Sequence, residues 1–382
     1  MKVVVLGAGM MGGVAAKDLV ESPEVDAVTL LDIDGRRSEG WARRLGKKLR
    51  PLALDVTDEV ALARAIRGHD VAVAALLNEH SVGAVRAAIA ARVHMVDLAA
   101  AEAEAKLALS DAAAAAGVTI VPGCGVAPGL SNVLVGRSFA ELDRVDEAVI
   151  KVGGLPLTPR PPLNYRIVYA LDSVFSSCVD PSLVIRDGCP ALVPALAECE
   201  PVEFPPPIGS CECFITDGLC TLAHTYRDSG IRRLEEKTVR YPGWCDRMGF
   251  LVASGFLSSE PVLVNGVAVK PRRLALRVLG PVLGSGDERD LLAMRVEARG
   301  VKGGARATLR FEVIDFYDDA QKITSMARTT SYTGTSVCRM LGRGEVAARG
   351  VVPPERLGED QALFERLLSD LAQRGVRVAR TA

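Results

Sequence analysis

The sequence predicts an α/β chain with an N-terminal doubly wound parallel sheet, an inserted α/β domain built on a mixed or antiparallel sheet, and a helical C-terminal return. Three observations carry that reading. An apolar run, Lys2-Val3-Val4-Val5-Leu6, leads straight into Gly7-x-Gly9-x-x-Gly12. Strand-like and helix-like segments then alternate as far as Val121, the pattern of a parallel sheet wound by helices. Beyond Pro122 the segments turn β-like and are interrupted by prolines at 159–162 and 205–207. The domains are drawn at 1–125, 126–335 and 336–382.

The elements follow in order. A helix is expected from Met10 to Val20, stopping before Pro23. Val28 to Leu31 forms a second strand ending at Asp32, Arg36 to Gly46 a helix, and Leu49 to Leu54 a third strand. Thr57 is the expected N-cap of the next helix, with Asp58 and Glu59 in its first turn and closure near Gly68. Val71 to Ala75 is a fourth buried strand, Ser81 to Ala91 a helix, and His94 to Leu98 a fifth strand. Ala99 to Ala116 reads as one alanine-rich helix, since alanine is the best helix former, and Val118 to Val121 as a sixth strand. A turn-rich bridge from Pro122 to Gly129 leads to a helix over Leu130 to Phe139. Leu309 to Phe316 and Lys322 to Met326 read as a β-hairpin turning at Asp318-Asp319. Ser336 to Leu341 is expected to return toward the first domain, with the charged, helical last forty residues packed on its outside.

The opening motif, with a strand before it, a helix after it and Asp32 closing a second strand, is the dinucleotide-binding fingerprint of a Rossmann domain. Gly7 permits the tight turn, Gly9 lets backbone N–H groups reach a pyrophosphate, and Gly12 lets the helix pack on the strand. The helix N-terminus, entered at Met10 and Met11, offers unpaired N–H groups to the phosphates. Asp32 accepts hydrogen bonds from an adenosine ribose and repels a 2′-phosphate, which favours NAD over NADP. Only Arg36 and Arg37 argue for NADP. The remaining expected cofactor contacts are Ile33, Asp55 and Val56 near the adenosine, and Ala75, Leu76, Leu98 and Cys124 at the other strand ends.

Composition narrows the function classes. The 382 residues carry a formal net charge of −1, so there is no basic field for nucleic acid or an anionic membrane. No apolar run approaches the roughly 18 residues that span a bilayer, and glycines interrupt any signal-peptide pattern. Nine cysteines lack the spacing of a disulfide scaffold. Cys211 and Cys213 lack companion ligands at metal-site spacing and are expected to be two reduced thiols, so no metal is expected. The chain reads as a soluble cytoplasmic protein with ample apolar content, 49 %, for a large core.

The stretches VVVLGAGMMG (3–12), VTLLDID (28–34), VHMVDLA (93–99), GVTIVPGCGVAPGLSN (117–132), VGGLPLTPRPPLNY (152–165), DPSLVIRDG (180–188), KTVRYPG (237–243), MARTTSYT (326–333) and LGRGEVAARGVVPPE (341–355) together resemble the saccharopine dehydrogenase-like superfamily, nearest its lysine 6-dehydrogenase branch. The resemblance runs along nearly the whole chain. It implies a Rossmann domain, a substrate and dimerisation domain, and assembly as a dimer or more. It further implies NAD-dependent oxidative deamination of the ε-amine of lysine or a lysine-like amino acid. Related enzymes of the saccharopine reductase and carboxynorspermidine dehydrogenase kind instead reduce imines. The chain departs from the pattern twice: Gly123 stands where lysine 6-dehydrogenases tend to carry an aspartate, and Trp244 where the family often has histidine.

Hydride loss from an amine carbon needs a neutral nitrogen, and hence a base or an apolar pocket. The candidates for proton transfer are Asp97, Cys124, Tyr165, Glu212 and Asp217. Asp97 and Cys124 are favoured by their place at strand ends, where such sheets bind ligands. Glu212 and Asp217 are candidates to meet a substrate ammonium, and Tyr165 and Thr216 to bind substrate. Arg240 suits bidentate pairing with a substrate carboxylate, and Trp244 offers a shortened pocket or an aromatic face. Each has a plainer role open to it: Asp97 a helix cap, Cys124 an apolar filler, Tyr165 core packing, Asp217 a turn, Arg240 a structural ion pair. His94 reads as a core histidine, His69 and His80 as loop residues, and nothing in its spacing places His224. Three functions stay open: amine oxidation, imine reduction, and an NAD-binding sensor or scaffold that turns nothing over.

Overall fold

The computed structural model describes residues 1–381. The first lobe alternates strand and helix: β1 (Lys2–Leu6), α1 (Met10–Glu21), β2 (Ala27–Asp32), α2 (Gly35–Leu45), β3 (Leu49–Ala53), α3 (Glu59–Ile66), β4 (Val71–Ala74), α4 (Asn78–Ala91), β5 (His94–Asp97), α5 (Ala103–Leu107), α6 (Ser110–Ala115) and β6 (Thr119–Val121). Val3 to Leu6 and Val71 to Ala74 are fully buried, as apolar runs covered by helices on both faces must be. The strand order is β6-β5-β4-β1-β2-β3, all parallel. The order reverses between β1 and β4, and ligands of such sheets bind at that crevice.

The second lobe comprises α7 (Leu130–Glu141), β7 (Arg144–Pro156), α8 (Leu171–Ser176), β8 (Ser182–Arg186), β9 (Cys189–Val193), β10 (Glu200–Phe204), β11 (Gly209–Thr216), α9 (Leu222–Thr225), β12 (Arg233–Arg240), α10 (Trp244–Ala253), β13 (Val262–Val264), β14 (Val267–Val269), α11 (Pro271–Leu283), β15 (Asp290–Lys302) and β16 (Ala305–Phe316). The chain ends with α12 (Ser325–Gly342), β17 (Gly350–Val351), α13 (Pro354–Glu359), α14 (Gln361–Gln373) and β18 (Ala379–Thr381). The large sheet runs β10-β11-β12-β7-β15-β16-β18, with β8 on β12 and β9 on β8. It is mixed, because β12 and β7 are parallel and the other pairs antiparallel.

Several expectations are corrected. The hairpin partner of β16 is β15, turning at Gly303-Gly304, and Lys322 to Met326 is not a strand. The backbone N–H groups of Ser325 and Met326 are taken by the Asp290 carboxylate at 2.6 and 3.0 Å, which starts α12 there. That helix begins eleven residues before Ser336, because Thr329 and Thr333 hydroxyls bond back to carbonyls one turn earlier and the helix packs against α1. Ala99 to Ala116 divides into α5 and α6 behind a loop. Asp58, not Thr57, caps α3, accepting from Ala61 N, while Thr57 bonds to Asp55. The C-terminal return also divides: β17 extends the first sheet beside β6, whereas β18 pairs with β16 of the second. Cys199 and Cys245 form a disulfide unforeseen from the spacing, while Cys211 and Cys213 keep free thiols. Among the described residues no helix is long and apolar enough to cross a membrane.

Candidate active site

A cleft of about 1020 Å³ lies between the two sheets. Its first wall is the ends of β1, β2 and β4. Gly7 holds φ +95°, and a Cβ there would sit 2.5 Å from the Ala75 carbonyl oxygen. A Cβ on Gly12 would lie 1.8 Å from the Gly7 oxygen, so α1 meets the loop only as glycine. Gly9 is different: nothing lies within 4 Å of where its Cβ would be. It caps α1 without a side-chain bond, leaving the first-turn N–H groups of a 12-residue helix open toward the cleft. These features fit a pyrophosphate. Asp32 lines the same wall, its carboxylate accepting from Ala8 N at 2.7 Å and Asp34 N at 2.9 Å. Those bonds fix it while each oxygen keeps a lone pair. Met10, Met11, Ile33, Asp55, Val56, Ala75, Leu76 and Leu98 also line the cleft. Gly12 and Cys124 do not. Arg36 is turned aside by its ion pair with Asp34, whereas Arg37 lines the cleft.

The opposite wall is built by the second sheet. Alternate residues of β12 point to one side, and Glu236, Thr238 and Arg240 all line the cleft, with Thr216 and Asp217 from the end of β11. Thr216 and Thr238 share a hydrogen bond of 2.9 Å. Arg240 is 2 % exposed, donates to Val239 O at 2.8 Å and to Tyr169 Oη at 3.1 Å, and has no carboxylate partner among the described residues. Tyr165 and Trp244 lie behind it, with ring centroids 4.9 and 5.2 Å from the guanidinium carbon and edge to face with each other. Packed aromatic faces hold a cation in place while leaving its N–H groups to a ligand.

Five expected site residues are thus placed elsewhere. Tyr165 and Trp244 are buried supports of Arg240 rather than cleft surface. Glu212 faces the start of α10, accepting from Gly243 N and Cys245 N at 3.0 and 2.6 Å, because a carboxylate suits a helix N-terminus. Asp97 is sealed: Lys106 reaches it at 2.7 Å, Ser81 donates at 2.6 Å and Ala99 N at 3.0 Å, and neither Asp97 nor Lys106 is exposed. Cys124 is fully buried beside it, and burial pushes its thiol far up. Neither is open to a substrate. Asp217 does reach the cleft.

Two residues were missed. Glu236 is 5 % exposed, its Oε2 has no hydrogen-bond partner among the described residues, and burial with repulsion from Asp217 pushes its carboxyl up to about 8. The signal was available in the alternation of 236, 238 and 240. Cys220 fills the space beside Gly123: a Cβ there would lie 2.6 Å from its sulfur. Its thiol, pushed up to about 12 by burial, donates to Ala100 O and lines the cleft with His80 and His224. No spacing pointed to it.

The fold and cleft define a two-lobed, dinucleotide-binding α/β chain. The saccharopine dehydrogenase C-terminal domain model matches residues 125–376 and the saccharopine dehydrogenase NADP binding domain model residues 3–121, so the chain belongs to the saccharopine dehydrogenase family of NAD(P)-binding oxidoreductases. It is 25 % identical over 226 residues to saccharopine dehydrogenase [NADP(+), L-glutamate-forming] of Pyricularia oryzae, covering 55 % of this chain and 48 % of that protein. The match therefore spans about half the length of that relative. The fold is that of apo saccharopine dehydrogenase (L-Glu forming) from Saccharomyces cerevisiae, with a TM-score of 0.81, 18 % identity and full coverage of both chains. A homospermidine synthase from Legionella pneumophila, in complex with NAD, matches with a TM-score of 0.67 at 11 % identity, covering 100 % of this chain and 91 % of that one.

Proposed function

We propose that the chain moves hydride between a nicotinamide dinucleotide and a carbon–nitrogen bond of an amino-acid-like substrate, in the form of NAD-linked oxidative deamination of the terminal amine of lysine or a lysine-like amino acid. The single observation carrying this reading is Arg240: a buried guanidinium in the cleft, backed by two rings and without a carboxylate partner among the described residues, facing the wall that fits a dinucleotide. A buried cation without a counter-ion is costly, and a substrate carboxylate offsets that cost. The coenzyme, when bound, supplies the hydride acceptor. The glycine loop and the N-terminus of α1 hold its diphosphate, and Asp32 selects the ribose hydroxyls of NAD over a 2′-phosphate. Arg240 orients the substrate.

A second reading, reduction of an imine joined from an amine and an aldehyde, is favoured by the names of the relatives, a saccharopine dehydrogenase and a homospermidine synthase. The family's NADP binding model supports NADP as the rival coenzyme. The test is incubation with NAD or NADP and a panel of amino acids and diamines while the reduced coenzyme is followed by absorbance. Formation of NADH with lysine-like amines is the expected result. Signal only in reverse, from aldehyde, amine and reduced coenzyme, selects the second reading, and silence in both directions refutes both. Arg240→Ala should raise KM for a carboxylate-bearing substrate at least tenfold, since a charged hydrogen bond is worth about 1.5–3 kcal/mol; an unchanged KM removes Arg240 from the site.

A further inference from the structure

We infer that Glu236 receives the cationic amine of the substrate and takes its proton, so that the substrate is an amino acid whose reacting amine lies far from the carboxylate held at Arg240. The inference rests on the function proposed above and assigns that site its second pole. Neighbouring residues of β12 show why Glu236 is set apart. Glu235, on the back of the strand, is fully buried and meets Arg186 at 2.6 Å and Arg233 at 2.5 Å. Glu236 is almost as deeply buried, yet no arginine or lysine pairs with it among the described residues. Asp217 beside it adds a second negative group at the cleft, likewise without a salt-bridge partner among the described residues.

The backbone reserves room for this carboxyl. A Cβ on Gly218 would lie 1.8 Å from Glu236 Oε1 and 2.3 Å from Oε2, so a larger residue there would push this carboxyl aside. Four residues of strand separate Glu236 from Arg240, a Cα spacing of about 13 Å. The residue between them on that face, Thr238, is uncharged and already bonded to Thr216. The wall thus presents a carboxyl and a guanidinium at opposite ends of a neutral stretch, complementary to a zwitterion with separated charges.

The step balances within the site. Above about pH 8, where Glu236 is ionised, its carboxylate takes a proton from R–CH2–NH3+, breaking N–H and forming O–H, which leaves R–CH2–NH2 with a lone pair. That pair forms C=N as the C–H electrons leave as hydride to the oxidised nicotinamide coenzyme. The substrate carbon is oxidised, the coenzyme reduced, and the proton on Glu236 passes to solvent.

The test is calorimetric titration of the NAD-loaded protein at about pH 9, where Glu236 is ionised and an alkyl amine still cationic, with 6-aminohexanoate, hexanoate and pentylamine. The wild type should bind 6-aminohexanoate at least tenfold more tightly than hexanoate. Glu236→Gln should bring the two affinities together while hexanoate and NAD bind as before, which also shows that the variant is folded. An undiminished preference for the amine in Glu236→Gln, or no preference in the wild type, overturns the assignment. Turnover separates the two claims. If amine preference depends on Glu236 but no amine reduces the coenzyme, the subsite stands and the dehydrogenase reading falls. If the wild type turns over and Glu236→Gln keeps its kcat, the dehydrogenase reading stands and Glu236 is not the proton acceptor.

Discussion

Glu236→Gln should change how stability depends on pH, and the size of the change follows from burial. The carboxyl moves from its ordinary 4.5 to about 8 in the folded chain, chiefly by desolvation and secondarily through Asp217. At 1.36 kcal/mol per pH unit, that displacement is worth about 5 kcal/mol. The sign is set by which state binds the proton. Below pH 4.5 the group is neutral whether the chain is folded or not, and it costs nothing. Between 4.5 and about 8 the unfolded chain releases the proton while the folded chain keeps it, so wild-type stability falls as pH rises. Above about 8 the full loss is in place. Glutamine carries no such proton. Urea unfolding of both proteins from pH 4.5 to 9 should therefore show the variant gaining on the wild type by several kcal/mol as pH rises. Other buried acids, such as Asp290 with its carboxyl pushed up to about 6, are common to both proteins and cancel in the difference. A constant difference across the range would mean that Glu236 is solvated or paired, and would refute the reasoning.

Three further outcomes are expected. Asp32→Gly combined with Ile33→Arg should raise the ratio of NADP to NAD affinity, measured by quenching of protein fluorescence; an unchanged ratio counts against the ribose role of Asp32. Gly123→Asp should destabilise the protein, because its side chain meets the Cys220 sulfur, and Cys220→Ala should restore part of the loss. A coupling of about 0.5–3 kcal/mol in the double-mutant cycle is expected, and strict additivity would show that the two positions do not touch. Lys106→Met should cost about 3–5 kcal/mol in urea unfolding by leaving Asp97 buried and unpaired, and a loss under about 1 kcal/mol would show that Asp97 finds water instead.

The first lobe was largely legible because its signals are local. Apolar runs bounded by glycine and acid specify buried parallel strands, and the three loop glycines act within a few residues of each other. What failed depended on partners distant in sequence. The alanine-rich run gives no hint that Lys106 must reach back to Asp97, and that bond is what removes Asp97 from solvent. The hairpin was misplaced because Lys322 to Met326 alternates well enough for a strand, while the Asp290 carboxylate that starts α12 lies 35 residues away. Glu212 and Glu236 look alike in sequence, each a carboxylate in a β-like run. Only the fold shows that one meets the N–H groups opening α10 and the other has no ion-pair partner among the described residues. Arg240 was legible from its motif, but the rings behind it were read as neighbours of the substrate rather than of the guanidinium.

The strand from Arg233 to Arg240 has unlike sides, and this bears on how such a scaffold can diversify. Its odd-numbered back carries a dense ion lattice, with Lys237 3.1 Å from Glu200 and Glu235 clasped by two arginines. Its even-numbered front carries the groups assigned to ligand chemistry. Exchanging residues 236, 238 or 240 can therefore retune what the protein accepts without loosening the mechanical frame. A one-residue insertion ahead of the strand would do the reverse, turning the lattice toward the ligand and the recognition groups toward the buried back of the sheet. Drift by substitution is open to this chain, whereas drift by insertion at that point is closed.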